Sequence, residues 1–331
     1  MRTKIVPILM ALLFCPIMAL AALTDRKDVQ EFMTTVQKQY GLTETELTAV
    51  LNQARIEPKV LAAIAKPYEA KPWHQYEKLF ITDFHVQQGV HFWKTHAKTL
   101  NAVEKKYGIP PEMIVAIIGI ETKYGKNLGN FRVLDALTTL SFEYPPRSAF
   151  FKQELAHFLV LMKEEGWTAD DVRGSYAGAF GMPQFIPSSY RHYAVDFSGA
   201  GKRDIVHNTD NAIASVAHYF HQHGWQPNEP VAIPTTLLAQ SDIADVLADP
   251  RKPKPSLLGH ELRAKGIHVP HHLTAQPLSV MGFEQPDNSE YWLGFQNFYV
   301  ITRYNHSQSY AMAAYQLSQK LKVAYAQGQA S

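Results

Sequence analysis

The sequence contains one cysteine and almost no net charge. Cys15 lies in an apolar stretch near the start of the chain. A protein cleaved after that stretch has neither disulfides nor a thiol nucleophile, so packing must supply its stability. Lys and Arg number 32 and Asp and Glu number 30, which gives a net charge of +2. Nucleic-acid binding requires a clustered basic excess, so we expect no nucleic-acid partner.

Several catalytic motifs are also missing. The sequence has no H-E-x-x-H zinc motif, no G-x-S-x-G elbow around Ser175 and no glycine loop that cradles a phosphate. It does have 15 histidines, and His218 and His221 have the i, i+3 spacing that lets two imidazoles share a metal. Four further histidines are close to these or to each other: His223, His268, His271 and His272. We interpret all of them as surface or stacking residues, with zinc as the weaker alternative.

Length and composition are those of a globular protein. The chain has 331 residues, of which 46% are hydrophobic and 19% are charged. That length suffices for one large domain, or for two to three ordinary domains with their own cores. A disordered chain would have fewer apolar residues and a higher net charge.

The first 21 residues have the pattern of a secretory signal peptide. Arg2 and Lys4 precede an apolar run from residue 5 to residue 23, and Ala19-Leu20-Ala21 provides a small-x-small cleavage pattern. We therefore predict a signal peptide over residues 1–21 and export to a periplasm-like compartment.

Two alternatives would keep the protein at a membrane. The apolar run approaches the ~20 residues that a spanning helix needs, but Pro7 and Pro16 interrupt it. Lipidation would attach the chain through Cys15, but bulky Phe14 precedes this cysteine where lipoproteins have a small residue. An outer-membrane lipoprotein is therefore the less favoured prediction, and we expect membrane contact only if Cys15 is lipidated.

Hydrophobic periodicity predicts a mainly α-helical protein. Apolar residues recur at helical spacing from Val29 to Val36, and the helical pattern continues to residue 101 with an interruption at Lys71-Pro72-Trp73. Four or five more helical stretches follow between Ile109 and Phe220. We predict these domains: an N-terminal helical domain over 25–100, a core over 101–225, a small α/β insert over 226–290 and a return to the core over 291–325.

The predicted insert is rich in proline and in short β-type runs, such as residues 231–234 and 266–270. From Trp292 the sequence predicts an aromatic-rich loop. Tyr310 to Tyr325 has the pattern of a closing amphipathic helix.

The segment from Ile109 to Gly125 contains a carboxylate in an apolar setting. Pro110-Pro111 suits a helix start, and Gly125 suits a helix stop. Met113 to Ile120 has no polar side chain, so this helix should be buried nearly all round. Glu121 follows in the last turn, with no basic residue three or four positions away.

We expect two effects to raise the pKa of Glu121. The neighbouring isoleucines desolvate its carboxylate, and the negative end of the helix dipole lies beside it. A carboxyl group that stays protonated near neutrality is what a general acid needs. The alternative is that Glu121 reaches solvent past the helix end or pairs with a distant arginine, and the segment alone does not decide between the two.

The sequence around Glu121 resembles the catalytic helix of the family 3 lytic transglycosylases, over Ile117 to Gly125. Further segments are similar to the family in the same order: 134–142, 144–145, 174–181, 183–185, 187–190, 297–299, 301–307 and 310–313. The resemblance extends from about residue 28 to residue 321 and is weakest in the insert. Several motifs in a fixed order are specific, whereas one glutamate in an apolar helix is not.

The resemblance implies a lysozyme-like fold in which Glu121 is the only catalytic carboxylate. Most glycosidases use two carboxylates, whereas this family is understood to use one. Glu121 would protonate the glycosidic oxygen between N-acetylmuramic acid and N-acetylglucosamine, and would then act as base on the muramoyl C6 hydroxyl. That hydroxyl attacks C1 and leaves a 1,6-anhydromuramoyl end, so the enzyme would be a peptidoglycan lyase rather than a hydrolase.

The resemblance also implies a substrate groove with six further residues. Three are neutral hydrogen-bonding side chains that suit sugar hydroxyls and acetamido groups: Ser175, Gln184 and Asn305. Three are aromatic side chains that offer a flat face and one polar atom each: Tyr219, Tyr304 and Tyr310. Such residues are more common in structural roles, and only the match to family positions favours substrate binding, less firmly for Tyr219 and Tyr310.

Residues 196–204 resemble the EF-hand-like calcium loop that members of this family carry. Ligand positions 1, 3 and 9 hold Asp196, Ser198 and Asp204. The sequence departs from the pattern at Ala200, where the family usually has an acidic residue, and at position 12, which is His207 instead of Glu. Fewer carboxylates weaken a site for a hard cation. A structural calcium ion is therefore doubtful, and we expect the reaction to require no cofactor.

Two other functions stay open. One is a zinc peptidoglycan amidase that uses the histidines, and the other is a non-catalytic peptidoglycan-binding protein that keeps the groove without turnover. The intact sequence context of Glu121 favours the enzyme. In each case the expected partner is the glycan strand of peptidoglycan, bound by a monomer.

Overall fold

Helices account for most of the chain that the structure describes, which is residues 22–65, 71–238 and 243–328 of a computed structural model. The prediction of a mainly α protein is therefore confirmed. The predicted signal peptide, including Cys15, lies outside the described residues. In the part of the chain that is described, no helix has both the length and the apolar character that crossing a membrane requires.

The chain divides into two units between Gln53 and Ala54. We call them the N-terminal unit and the main unit. The predicted domain boundaries near residues 100, 225 and 290 stay predictions.

The N-terminal unit contains two α-helices after a 3-10 turn at Leu23–Asp25: α1 (Lys27–Tyr40) and α2 (Glu44–Leu51). The apolar positions that predicted α1 are all buried: Val29, Phe32, Met33 and Val36. Gly41 ends α1 in the left-handed conformation, which glycine adopts without steric cost. Thr43 and Glu46 form a capping box that starts α2.

The main unit begins with four helices: α3 (Pro58–Ile64), α4 (Trp73–Phe80), α5 (Asp83–Thr95) and α6 (Ala97–Tyr107). The predicted interruption at Lys71-Pro72-Trp73 coincides with the start of α4 at Trp73. Five helices then follow, in agreement with the predicted four or five: α7 (Pro111–Thr122), α8 (Val133–Glu143), α9 (Ser148–Glu165), α10 (Pro187–Tyr193) and α11 (Thr209–Gln222). Two short strands, β1 (Phe131–Arg132) and β2 (Arg173–Gly174), pair antiparallel.

The late part of the chain contains the predicted β structure, as an antiparallel four-stranded sheet in the order β3-β6-β5-β4. Its strands are β3 (Ala232–Thr235), β4 (Leu257–Leu258), β5 (Pro277–Glu284) and β6 (Ser289–Gly294), and α12 (Gly259–Ala264) follows β4. The sheet and α12 share a small core that includes Leu262, Leu278, Val280 and Leu293.

One predicted β-type run is not a strand. In residues 266–270 only Ile267 forms a bridge, to Leu237. Gly266 is left-handed and ends the turn after α12, and Pro270 has no N–H to donate to a ladder. The left-handed Gly266 and the missing N–H of Pro270 therefore limit this run to a single bridge.

The chain closes with two helices, α13 (Gln296–Tyr304) and α14 (Gln308–Gln327). The closing helix predicted over Tyr310 to Tyr325 is confirmed by α14. The loop predicted from Trp292 is wrong, because Trp292 belongs to β6 and α13 follows at once. Buried Asn297 explains the helix start here, since its side chain bonds to the backbone of Gln226 and Glu229.

Helix α7 is the central helix of the main unit. It packs against α5, α6, α11 and α14. Every residue from Met113 to Gly119 is buried, as the uninterrupted apolar sequence predicted. Neighbours on all sides hold α7 in place, so the residues at its end have fixed positions.

Candidate active site

Glu121 lies in the last turn of α7, where the helix leaves the buried interior. Ile117 and Ile118, one turn earlier, are completely buried, whereas Glu121 is partly exposed. The carboxylate is thus carried by a buried helix to the edge of the apolar region. This is the position that a proton donor to an external substrate needs.

The helix ends earlier and more sharply than the sequence predicted. Its last residue is Thr122, and Lys123 and Tyr124 both adopt left-handed backbone angles, with φ of 50° and 62°. The amides of Lys123 and Tyr124 donate to the carbonyl groups of Gly119 and Ile118 at 2.9 and 3.3 Å. These bonds satisfy carbonyl groups that the helix end would otherwise leave without donors.

Thr122 connects the end of α7 to a neighbouring loop by a hydrogen bond. It is fully buried, and its hydroxyl group is 3.2 Å from the carbonyl oxygen of Met182 and accepts from the amide of Gly125 at 3.0 Å. The loop that contains Met182 also contains Ser175 and Gln184, two of the predicted groove residues. Thr122 therefore links the catalytic turn to the predicted groove, a role that the sequence analysis missed.

The hydroxyl group of Tyr310 donates a hydrogen bond to Oε1 of Glu121 at 2.5 Å. Tyr310 lies on α14 and is only 2% exposed. Burial, followed by the negative charge of Glu121, raises the pKa of Tyr310 well above its ordinary value. Tyr310 therefore stays a neutral phenol while Glu121 gains or loses its proton.

Tyr304 and Tyr219 extend this cluster. The ring of Tyr304 is parallel to that of Tyr310, with centroids 6.5 Å apart and 5° between the planes. Its hydroxyl group donates to the carbonyl group of Pro183 at 2.6 Å, and the hydroxyl group of Tyr219 donates to that of Arg303 at 2.5 Å. Burial, then the charge of Glu121, also raises the pKa of Tyr304 well above its usual range. The three predicted tyrosines thus form one cluster, in which Tyr310 bonds to Glu121 and Tyr219 packs against Tyr304 with ring centroids 4.9 Å apart.

The three predicted amide and hydroxyl residues are partly exposed. The Oγ of Ser175 accepts from the amides of Ala177 and Ala179, at 3.2 and 3.1 Å, and so shapes its own loop. The Nε2 of Gln184 donates to the carbonyl groups of Leu128 and Gly181, at 3.3 and 3.0 Å.

Asn305 follows directly after Tyr304 at the end of α13. Leu128 lies six residues beyond the end of α7, and Pro183, next to Gln184, accepts from Tyr304. Gln184 and Asn305 therefore belong to the segments that surround Glu121.

The candidate calcium loop uses its carboxylates to hold its own backbone. The Asp196 carboxylate accepts four hydrogen bonds, from the hydroxyl group of Ser198 and the amides of residues 199, 200 and 201. Asp204 accepts from the amides of Val206 and His207. Among the described residues, no group of three or more His, Cys, Asp or Glu side chains is arranged to hold a metal ion. With Ala200 and His207 at ligand positions, the loop does not fit a hard cation that prefers several carboxylates.

Three of the histidines considered for zinc bond to backbone carbonyl groups. The Nδ1 atoms of His218, His221 and His223 lie 2.9, 3.3 and 2.7 Å from the carbonyl oxygens of Tyr193, Tyr107 and Tyr219. The ring of His223 also stacks on Tyr219, with centroids 4.0 Å apart. Stacking and backbone contacts are thus the observed roles of this group.

A cavity of about 880 Å³ lies at the other end of α7. Its lining includes Glu112 and Lys322, whose charged groups are 3.1 Å apart. Neither Glu121 nor any of the six predicted groove residues lines it. We therefore place the candidate active site at the C-terminal end of α7, where the carboxylate and the tyrosines meet.

Comparisons with known proteins identify relatives of this chain. The family model described as "Transglycosylase SLT domain" matches residues 24–319. The chain is 40% identical over 314 residues to membrane-bound lytic murein transglycosylase B of Escherichia coli K12, covering 92% of this chain and 85% of that protein.

Two solved structures from Pseudomonas aeruginosa have the same fold. Soluble lytic transglycosylase SltB1 matches with a TM-score of 0.83 and 43% identity, over 89% of this chain and 98% of that one. SltB3, solved with NAG-anhNAM-pentapeptide, matches with a TM-score of 0.75 and 28% identity, over 88% of this chain and 78% of that one. The expected lysozyme-like fold is thereby confirmed. By sequence and by structure, the chain belongs to the transglycosylase SLT-domain family.

Proposed function

We propose that this peptidoglycan lytic transglycosylase uses Glu121 as its single acid and base, with Tyr310 holding the carboxyl group in place. The substrate is the β-1,4 bond between N-acetylmuramic acid and N-acetylglucosamine. The observation that carries the proposal is the 2.5 Å contact between the buried hydroxyl group of Tyr310 and Oε1 of Glu121 at the end of a buried helix.

The reaction needs one carboxyl group that first donates and then accepts a proton. Protonated Glu121 gives its proton to the glycosidic oxygen, and the bond between that oxygen and the muramoyl C1 breaks. The muramoyl C6 hydroxyl oxygen then bonds to C1, and its proton returns to Glu121. The carboxyl group ends in its starting state, no water is consumed, and the product is a 1,6-anhydromuramoyl end.

Tyr310 suits both halves of this cycle. A phenol hydroxyl group donates to a carboxylate and accepts from a protonated carboxyl group. It can therefore hold Glu121 in one position before and after proton transfer. Because its pKa is raised well above the ordinary value, Tyr310 keeps its own proton at neutral pH.

Neutral groups dominate the remainder of the proposed groove. Ser175, Gln184 and Asn305 are partly exposed and carry no charge, so they suit hydroxyl and acetamido groups of the sugar. Tyr219 and Tyr310 are 7% and 2% exposed, which leaves little ring surface for a sugar. We therefore propose that Tyr310 supports Glu121 and that Tyr219 supports Tyr304. The residues that contact the sugar are then Ser175, Gln184, Tyr304 and Asn305.

The substrate assignment is also supported by the relatives. The E. coli relative is named for murein, and SltB3 was solved with a fragment that contains an anhydromuramoyl sugar. We infer that the chain acts on glycan strands in the periplasm, after export through the signal peptide predicted from the sequence. Lipidation at Cys15 remains the alternative mode of attachment, and we expect a monomer.

Glu121→Gln tests the proposal directly. The amide keeps the shape and a hydrogen-bond acceptor for Tyr310 but has no proton to transfer at neutral pH. We expect muropeptide release from purified sacculi to fall by about 10²–10⁴-fold, with an unfolding temperature equal to or above that of the wild type. The measurement is mass spectrometry of the released muropeptides together with a thermal melt.

The chemical nature of the released products distinguishes a lytic transglycosylase from the alternative functions. The wild type should release anhydromuramoyl muropeptides at an unchanged rate in the presence of a metal chelator. Reducing ends would indicate a hydrolase, free stem peptides an amidase, and binding without soluble fragments a wall-binding protein. Retained activity in Glu121→Gln would show that this residue is not the catalyst.

A further inference from the structure

The exit from α7 has an unusual backbone. Among the described residues, four residues other than glycine have positive φ angles, and two of them are the consecutive residues Lys123 and Tyr124. L-amino acids rarely adopt this conformation, and such residues persist only where surrounding contacts fix them. Some feature of the structure must therefore hold the chain in place immediately after Glu121.

Two glycines leave space for the ring of Tyr124. A Cβ atom at Gly119 would lie 2.6 Å from the hydroxyl oxygen of Tyr124 and 2.7 Å from its Cζ, and a Cβ atom at Gly89 would lie 2.5 Å from the same oxygen. Neither glycine has the positive φ that would require glycine for backbone reasons. Their lack of a side chain thus creates a slot between α5 and α7, and Tyr124 fills it.

The slot ends in a specific hydrogen bond. The hydroxyl group of Tyr124 donates to the carbonyl group of His85 on α5 at 2.6 Å. The ring also packs near Phe92, with centroids 5.6 Å apart. Burial raises the pKa of Tyr124 above its usual value, so the phenol keeps its proton and stays a donor. Tyr124 therefore fastens the exit of α7 to α5.

Glu121 lies just before this attachment. Thr122, the next residue, contacts the carbonyl oxygen of Met182, and Tyr124 donates to that of His85. The backbone that follows the carboxylate is therefore fixed on two sides, by a loop and by a helix. Displacing either contact would rotate the last turn of α7.

We propose that Tyr124 is a positioning residue: seated in the slot formed by Gly89 and Gly119, it holds the left-handed exit of α7 and thereby orients Glu121 toward the glycosidic bond. The proposal rests on the assignment of Glu121 as the acid and base. Tyr124 does not contact the substrate or transfer a proton. It acts through the backbone of the catalytic turn.

Tyr124→Phe removes the hydroxyl group and leaves the ring. We expect kcat on purified sacculi to fall about 5- to 10-fold, the size expected for one hydrogen bond, with KM within about 2-fold of the wild type. The matched control is Tyr315→Phe. Tyr315 also donates to a backbone carbonyl group, that of Ala232 at 3.0 Å, but it lies on α14 and not next to the catalytic turn. Both variants should lose similar thermal stability, and only Tyr124→Phe should lose kcat.

A double-mutant cycle tests the slot itself. Gly119→Ala places a methyl group against the Tyr124 ring, and misplacement of the carboxylate should lower kcat by about 10²-fold. In a Tyr124→Ala background the ring is absent, so the added methyl group should cost little further activity. This coupling shows that the methyl group acts through the Tyr124 ring, and a thermal melt of each variant, read at the assay temperature, separates misplacement of Glu121 from general unfolding.

Two results would overturn the proposal. One is an unchanged kcat in Tyr124→Phe, or an equal loss in Tyr315→Phe. The other is an equal loss from Gly119→Ala with and without the Tyr124 ring. Failure of the catalytic assignment would be seen separately, as retained activity in Glu121→Gln or as products without anhydro ends.

Discussion

The pair formed by Tyr310 and Glu121 leads to a prediction at the scale of single residues. Tyr310→Phe keeps the buried ring but removes the hydroxyl group that contacts Oε1 of Glu121. We expect kcat to fall about 10-fold with little change in KM, because the lost contact orients the acid and does not bind sugar. Steady-state rates on solubilised glycan strands provide the measurement. A raised KM with unchanged kcat would instead support the sugar-binding role that the sequence resemblance implied.

Single residues differ in how far the sequence reveals them. Glu121 is visible because it is an acid at the end of an apolar helix, with no basic residue three or four positions away in the sequence. The left-handed Tyr124 is not visible, because sequence rules place glycine in that conformation, and here Gly125 made a later helix end the natural prediction. The contact of Tyr310 spans 189 positions of sequence. Such contacts depend on tertiary packing, so the sequence indicates candidate residues of the site but not their bonding.

At the scale of elements, the loop from Asp196 to Asp204 shows a carboxylate in a structural role. Burial raises the pKa of Asp196, but hydrogen bonds from Gly201, Ser198 and the intervening amides outweigh that effect, and the net pKa is lowered from 3.8. The folded state therefore binds this proton less tightly than the unfolded state. Its stabilising contribution is complete above about pH 4 and is lost as the pH falls through the lowered value.

Asp196→Asn tests this role of the loop. The amide keeps one acceptor oxygen but loses the one that accepts from the amide of Gly201 at 2.7 Å. We expect the unfolding temperature at pH 7 to fall by about 1–2 °C, and the difference from the wild type to narrow as the pH falls below about 4. Thermal melts across this pH range provide the measurement, with exposed Asp245→Asn as the control. A difference that does not narrow as the pH falls below about 4 would rule out the carboxylate charge as the cause.

Elements were predictable where a local signal marks them. Pro111 and the apolar run mark α7, and the β-type run over residues 231–234 marks β3. Helix α13 has no side-chain cap at Phe295, and its start depends on the bonds of Asn297 to residues about 70 positions earlier. The sequence near Trp292 therefore indicated a loop, because the contacts that specify the helix come from distant parts of the chain.

At the scale of the whole molecule, histidines that are partly shielded from solvent should make stability depend on pH near neutrality. Burial is the main cause that lowers the pKa of five histidines from 6.5: His85, His96, His157, His223 and His306. The unfolded chain binds these protons at higher pH than the folded chain does. The stabilisation is therefore complete above about pH 6.5 and is lost as the pH falls below it.

We accordingly expect the unfolding temperature to decrease from pH 7.5 to pH 5.5. Three glutamates with raised pKa values act in the opposite direction, since their contribution to stability is lost as the pH rises: Glu77, Glu104 and Glu154.

A comparison of two single-residue variants isolates the effect of one histidine. His157→Gln removes a group whose pKa is lowered first by burial and then by Arg191 and His192. The melting temperature of this variant should therefore vary less with pH than that of the wild type. Exposed His272→Gln should keep the slope of the wild type, and identical slopes in all three proteins would show that proton uptake by His157 does not contribute to unfolding.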